Sequence, residues 1–210
     1  MADVKICGLR EAAHVAAAVE AGARYVGFVF FEKSPRSVTP EEAANLLAAI
    51  PAGVASVGLF VDPDDTLLRR VLAVVPLDVI QLHGNESPER VAAVKELTGL
   101  PVMKAVGIRD ANDLAQLTEY GLVADMLLID AKPAEGAALP GGNGLAFDWQ
   151  LLVGRRFLRP WMLAGGLTPE NVAEAVRLTG AQVVDVSSGV ESAPGCKDVA
   201  RIGAFLKALQ

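Results

Sequence analysis

Two side chains in this sequence are placed to move protons. Cys7 closes the short apolar run VKICG (4–8), and Asp130 closes DMLLID (125–130). A thiolate is a good base, and a carboxyl drawn out of water keeps its proton more readily, which is what a general acid needs. Lys5 stands two residues before Cys7. On a strand the two share a face, so the cation can draw the thiol toward thiolate. The plainer readings are packing for Cys7, as a small buried hydrophobe, and an N-cap or loop brace with Lys132 for Asp130. The other cysteine, Cys196, lies in the loop SAPGCKD and reads as a bystander.

Two glycine-bearing turns suggest where an anion would sit. The segment AGGLTPE (164–170) holds Gly165 and Gly166, and DVSSGVE (185–191) holds Asp185, Ser188 and Gly189. Glycine turns expose backbone N–H groups, and a short helix can begin after Ser188, so together they read as a phosphate site. Arg36, in FEKSPRSV, has the planar fork that grips a carboxylate; taken alone it reads equally well as solvated surface. Gln81 and His83 end a strand in QLHG, and His83 is assigned no chemistry. The glycine-rich stretch 132–146 reads as a lid or as a surface insertion.

The elements that must position these residues follow a regular alternation. Eight short apolar runs read as strands: VKICG, YVGFVF (25–30), VASVGLFV (54–61), LDVIQLH (77–83), PVMKAVG (101–107), DMLLID, PWMLAG (160–165) and AQVVDVS (181–187). Between most of them lie Ala/Leu-rich segments with helical period, and KDVARIGAFLKALQ closes the chain. Thr39-Pro40, Ser87-Pro88 and Thr168-Pro169 each set an N-cap before a proline at N1, and Thr39 with Glu42 fits a capping box. Gly22, Gly99, Gly121 and Gly180 stand where helices should stop. Continuous apolar strands belong to parallel sheets covered by helices. Eight β–α units over residues 1–210 predict a single-domain (β/α)8 (TIM) barrel; a doubly wound open sheet is the alternative, but the first turn, Cys-Gly-Leu-Arg, is no dinucleotide loop. Chemistry in such a barrel sits at the C-terminal ends of the strands, where all the residues singled out above fall.

Composition narrows the function. The chain has 210 residues, 52% hydrophobic, with a net charge of −6 and a sequence pI near 5.0. That balance excludes the basic stripe of a nucleic-acid binder and leaves room for a small anionic substrate in a local field. Two cysteines make no disulfide framework, and His14 and His83 are too far apart to suggest a metal site. No apolar run is long enough to span a membrane, and the N-terminus lacks a signal-peptide pattern, so a reducing cytoplasm is expected.

Taken together, KICGLR, GFVFFEKSPRSV, QLHG, LLIDAK, GGNG with FDW, LAGGLTPENV, and VDVSSGVE with PGCKD resemble the phosphoribosylanthranilate isomerases of tryptophan biosynthesis, in order and over nearly the whole chain. The resemblance implies an Amadori rearrangement of N-(5′-phosphoribosyl)anthranilate to 1-(2-carboxyphenylamino)-1-deoxyribulose 5-phosphate, without cofactor or metal. It implies Cys7 as general base and Asp130 as general acid. Arg36 would contact the anthranilate carboxylate, with Gln81 also at the substrate, and Asp185 would lie near the amino group. Gly165, Gly166, Ser188 and Gly189 would hold the phosphate. The expected partner is a small phosphorylated substrate, and the expected assembly a monomer or homodimer. Where the family commonly places a lysine after the GGTG-like turn, this chain reads GGNGLA, so Asn143 can hydrogen-bond but that cation is missing. A histidine-pathway isomerase and a non-catalytic phosphosugar-binding barrel are the rival readings.

Overall fold

A computed structural model describes residues 2–133, 139–142 and 144–210. Eight parallel strands close into a barrel in chain order: β1 (Asp3–Cys7), β2 (Tyr25–Val29), β3 (Ala55–Phe60), β4 (Val79–Leu82), β5 (Val102–Ile108), β6 (Met126–Ala131), β7 (Trp161–Leu163) and β8 (Val183–Val186). All eight expected strands form, and the open-sheet alternative falls because β8 pairs with β1. Around the barrel lie α1 (Ala12–Glu20), α2 (Pro40–Leu47), α3 (Asp65–Leu72), α4 (Pro88–Thr98), α5 (Ala115–Val123), α6 (Val172–Thr179) and α7 (Val199–Lys207). A two-stranded hairpin, β9 (Glu191–Ala193) and β10 (Cys196–Lys197), follows β8 and has no counterpart among the sequence expectations.

Side-chain parity decides what faces the reaction. In each strand alternate residues point into the barrel, and the others point out to the helices. Val57, Val79, Met103, Ala105, Leu128, Met162 and Ala164 form the interior cluster, while Ile6, Val26, Phe28, Ile80, Leu127 and Val184 belong to the larger layer under the helices. Lys5, Cys7, Gln81, Asp130 and Asp185 share the interior parity. Polar groups thus take over the inner face toward the C-terminal ends of β1, β4, β6 and β8, above an aliphatic plug.

The helix signals hold in part. Thr39 and Glu42 form the capping box of α2, Ser87 caps α4, and Gly99 and Gly180 end α4 and α6 in the left-handed conformation. Gly22 follows the last residue of α1's cap with φ +99°. Thr168-Pro169 does not cap α6. Its residues instead form a preceding turn, in which the Asn171 side chain accepts from the Thr168 N–H (2.8 Å), and the helix starts at Val172. Gly121 does not end α5 but lies inside it, where an added Cβ would sit 3.5 Å from Leu158. Among the described residues of the β6–β7 connection there is no α-helix, only the 3₁₀ turn Trp149–Leu152. The sequence between Asp130 and Pro160 is rich in glycine and proline, which removes the nucleus a helix needs there.

Candidate active site

A pocket opens at the C-terminal mouth, with about 810 Å³ of empty space counting its open side. Cys7, Arg36, Asp130, Asp185, Gly165, Gly166 and Ser188 all line it. Leu139, Pro140, Gly141, Gly142, Gly144 and Leu145 of the β6–β7 connection line it too, so that part of the expected lid lies over the strands. Residues 134–138 and Asn143 of the same stretch lie outside the described residues.

At the end of β1, Lys5 is fully buried and its Nζ donates to Asp185 Oδ1 at 2.8 Å. The two are register partners across the β1–β8 seam. Burial opposes the Lys5 charge, but the carboxylate of Asp185 and the Cys7 group outweigh it, and its pKa stands above the ordinary lysine value. Cys7 behaves differently from the sequence expectation. Burial pushes its thiol up, Lys5 pulls it down, and Asp185 adds to the rise; the net shift is upward. Burial outweighs the pull of Lys5, whose charge is also paired with Asp185, so Lys5 does not deliver a resting thiolate. The neighbouring strand β2 accommodates this cluster with a glycine. A Cβ on Gly27 would lie 2.9 Å from Cys7 Sγ and 3.3 Å from Lys5 Nζ, too close for both to keep their places. Alkylation of Cys7 by iodoacetamide should therefore be slow at neutral pH and quicken only above the range of an ordinary thiol. Labelling at neutral pH as fast as free cysteine would contradict this.

Arg36 is not solvated surface. It is 6% exposed, and its stem crosses Gly8, where a Cβ would lie 2.7 Å from Arg36 Cδ. Its Nε and Nη2 both donate to Glu191, at 2.8 Å each, and Nη2 also donates to the Gly142 carbonyl at 3.2 Å. The fork expected to grip a substrate carboxylate is thus filled from within by β9, and Nη1 is the corner left to meet a ligand. Lys197 of β10 donates to Glu191 Oε1 (2.7 Å) and to the Ser187 carbonyl (2.9 Å), and the Ser187 hydroxyl donates to the Cys7 carbonyl (3.0 Å). Burial alone would raise the Glu191 pKa, but hydrogen bonds from Arg36 and the charge of Lys197 hold it below the usual carboxylate range. The hairpin therefore ties Arg36 to the end of β1. Glu191 and Lys197 were in the motif VE…PGCKD, yet nothing local in that motif says that their partner is Arg36, 155 residues away from Glu191.

Across the mouth, Asp130 is 8% exposed. Its Oδ1 accepts from the Ala131 N–H at 2.7 Å, and its Oδ2 lies 3.3 Å from His83 Nε2. His83, which the sequence left without a role, lines the same pocket. Gln81 does not line it: the side chain is fully buried and meets His83 Nδ1 at 2.9 Å. Its expected contact with substrate is replaced by a contact with a pocket residue. The signal was present in QLHG, since Gln81 and His83 share strand parity at the exit of β4.

Gly165 and Gly166 have φ of +87° and +63°, a left-handed pair that only glycine adopts without strain. A Cβ at either would strike backbone, Ala131 N at 2.7 Å and Ala146 N at 2.8 Å. Ser188 begins the 3₁₀ turn Ser188–Val190, the short helical segment expected there. Gly189 lies outside the main pocket, in an adjoining cleft with Gly166, Ser188 and Arg201, and an added Cβ would run into the Leu167 carbonyl. Among the described helices none is long and apolar enough to cross a membrane.

A closed (β/α)8 barrel that gathers a thiol, a carboxyl and two glycine turns at a mouth pocket has the layout of a barrel enzyme. The comparisons with known proteins make that class specific. Residues 4–208 match the family model described as N-(5'phosphoribosyl)anthranilate (PRA) isomerase. The N-(5'-phosphoribosyl)anthranilate isomerase of Paracoccus denitrificans (strain Pd 1222) is 73% identical over 204 residues, 97% of this chain and 95% of that protein. Among solved structures, phosphoribosyl anthranilate isomerase from Thermotoga maritima superposes with a TM-score of 0.89 at 38% identity, covering 99% of this chain and 98% of that one. A phosphoribosyl anthranilate isomerase in complex with reduced 1-(o-carboxyphenylamino)-1-deoxyribulose 5-phosphate gives 0.86 at 37% identity, with the same coverage. This chain belongs to the N-(5'-phosphoribosyl)anthranilate isomerase family, and it is an isomerase.

Proposed function

We propose that this enzyme converts N-(5′-phosphoribosyl)anthranilate to 1-(2-carboxyphenylamino)-1-deoxyribulose 5-phosphate, a step of tryptophan biosynthesis, with Asp130 as acid and Cys7 as base. The observation that carries the residue roles is the meeting of Cys7, Asp130, Arg36, Asp185, Gly165, Gly166 and Ser188 in one pocket. A related structure, a phosphoribosyl anthranilate isomerase in complex with reduced 1-(o-carboxyphenylamino)-1-deoxyribulose 5-phosphate, supports a ligand of this kind.

Asp130 gives its proton to the furanose ring oxygen. The C1′–O bond breaks with its electron pair on that oxygen, while the nitrogen lone pair forms the C=N bond. Cys7, as thiolate, then takes the proton from C2′; those electrons form the C1′–C2′ double bond and neutralise the nitrogen. The enol-amine ketonises by losing the O2′ proton and gaining one at C1′, so no electrons leave the substrate. With its pKa pushed up by burial, Cys7 is mostly the neutral thiol at neutral pH, and its minor thiolate is the stronger base. Arg36 meets the anthranilate carboxylate through Nη1, and Asp185 faces the amino group. Gly165, Gly166 and Ser188 hold the phosphate, so binding away from the reacting carbons orients them.

The test is the decay of phosphoribosylanthranilate fluorescence with purified enzyme, with sulfate added as a phosphate mimic. Catalysed decay with competitive inhibition by sulfate is expected. No catalysed decay would end the proposal, and purely non-competitive inhibition would move the phosphate away from the glycine turns.

A further inference from the structure

The groups left unused by this scheme are His83 and Gln81, and their geometry is specific. His83 stands between two partners: Nε2 lies 3.3 Å from Asp130 Oδ2, and Nδ1 lies 2.9 Å from Gln81 Nε2. Gly141 closes over the contact, since a Cβ there would lie 2.5 Å from His83 Nε2 and 3.1 Å from Asp130 Oδ2. Gln81 Oε1 is buried and has no hydrogen-bond partner among the described residues. A buried orphan acceptor is costly, and here it belongs to an amide whose other end touches an imidazole. With Nε2 toward the ring, the amide donates to Nδ1, and the ring proton sits on Nε2, aimed at a carboxylate. Turned over, the amide offers Oε1 to an Nδ1–H, and Nε2 becomes an acceptor for a protonated Asp130. The two amide orientations thus match the two proton positions that a working acid passes through.

We propose that His83 is a further catalytic residue, sharing with Asp130 the proton that opens the ribose ring, and that Gln81 is a positioning residue that holds the imidazole in whichever tautomer the proton position requires. The inference rests on Asp130 being the general acid. In the forward direction the proton held between Asp130 Oδ2 and His83 Nε2 goes to the ring oxygen as the C1′–O bond breaks with its electron pair on that oxygen, while the imidazole keeps its Nδ1–H on Gln81 Oε1. Ketonisation returns a proton from O2′ to the pair. Atoms and charge balance over the cycle without another reactant.

The experiment compares His83→Ala, His83→Asn, Gln81→Leu and Asp130→Asn in the fluorescence assay, with thermal melts to verify folding. His83→Ala should lower kcat by about 10²-fold, with KM held within about threefold, because the ring contributes to proton transfer rather than to uniform binding. Added imidazole should restore part of the lost kcat in His83→Ala but not in Asp130→Asn. His83→Asn should remain slow, since an amide fills the space but carries no titratable proton. Gln81→Leu removes the orphan oxygen and leaves Nδ1 unpaired, so it should keep its melting temperature and lose about tenfold in kcat, less than the His83 variants. A folded His83→Ala enzyme with near-normal kcat, or one unmoved by imidazole, would overturn the inference. If Asp130→Asn also turned over normally, the acid assignment itself would fall. If Asp130→Asn were inactive and the His83 variants normal, only the role of His83 would.

Discussion

Asp130→Asn will fold, bind substrate and hardly turn it over. Asparagine fills the same volume, can still accept from the Ala131 N–H (2.7 Å) and can still meet His83. What it lacks is a proton to give to the ring oxygen. A positioned proton donor contributes typically ~10²–10⁴ in rate, and kcat should fall by that much with KM little changed. The KM prediction follows from the proposed placement of the ligand: Arg36 and the turns at Gly165, Gly166 and Ser188 come from other parts of the chain and would touch different parts of the substrate. Steady-state decay of substrate fluorescence measures both constants. A kcat within about threefold of the parent enzyme would mean that another group protonates the ring oxygen.

Cys7→Ala should be as damaging for a different reason. In the proposed pose, losing the sulfur would leave C2′ facing Lys5 and Asp185, and these two are engaged with each other at 2.8 Å. Neither is free to take a proton from carbon without breaking a buried ion pair. The expected fall in kcat is again ~10²–10⁴. The fold should tolerate the change, because alanine is smaller than cysteine and the neighbouring glycine, Gly27, adds no new contact. Retained sulfate binding in the variant would show that the phosphate end of the site is intact. An unchanged kcat would reduce Cys7 to packing.

Much of the barrel was legible because its signals are local. Each strand is a short apolar run, and each exit residue is fixed by counting parity along that run. Cys7 could therefore be placed on the inner face before any coordinates, Asp130 and Asp185 at strand exits, and Gly165-Gly166 at the mouth. What escaped depends on contacts between distant segments. The pairing of Lys5 with Asp185 follows only once β8 is laid against β1, and burial together with the Asp185 charge outweighs the pull of Lys5 on the thiol. Glu191 occupies the fork of Arg36 through a hairpin that the sequence shows merely as VESAPGCKD. His83 needed the position of β6 relative to β4, strands that are not neighbours in the barrel. Thr168-Pro169 and Gly121 misled because cap residues also serve in turns and inside helices, and the surrounding packing decides which.

The division of labour between Asp130 and Cys7 is tested most directly with substrate deuterated at C2′. Ring opening precedes cleavage of the C2′ bond, so the isotope effect on kcat reports which step limits turnover in each variant. With Asp130→Asn, ring opening should dominate and the effect should collapse toward unity; with Cys7→Ser, cleavage at C2′ should dominate and the effect should be fully expressed. A full isotope effect in Asp130→Asn, together with none in Cys7→Ser, would contradict the assignment of acid and base.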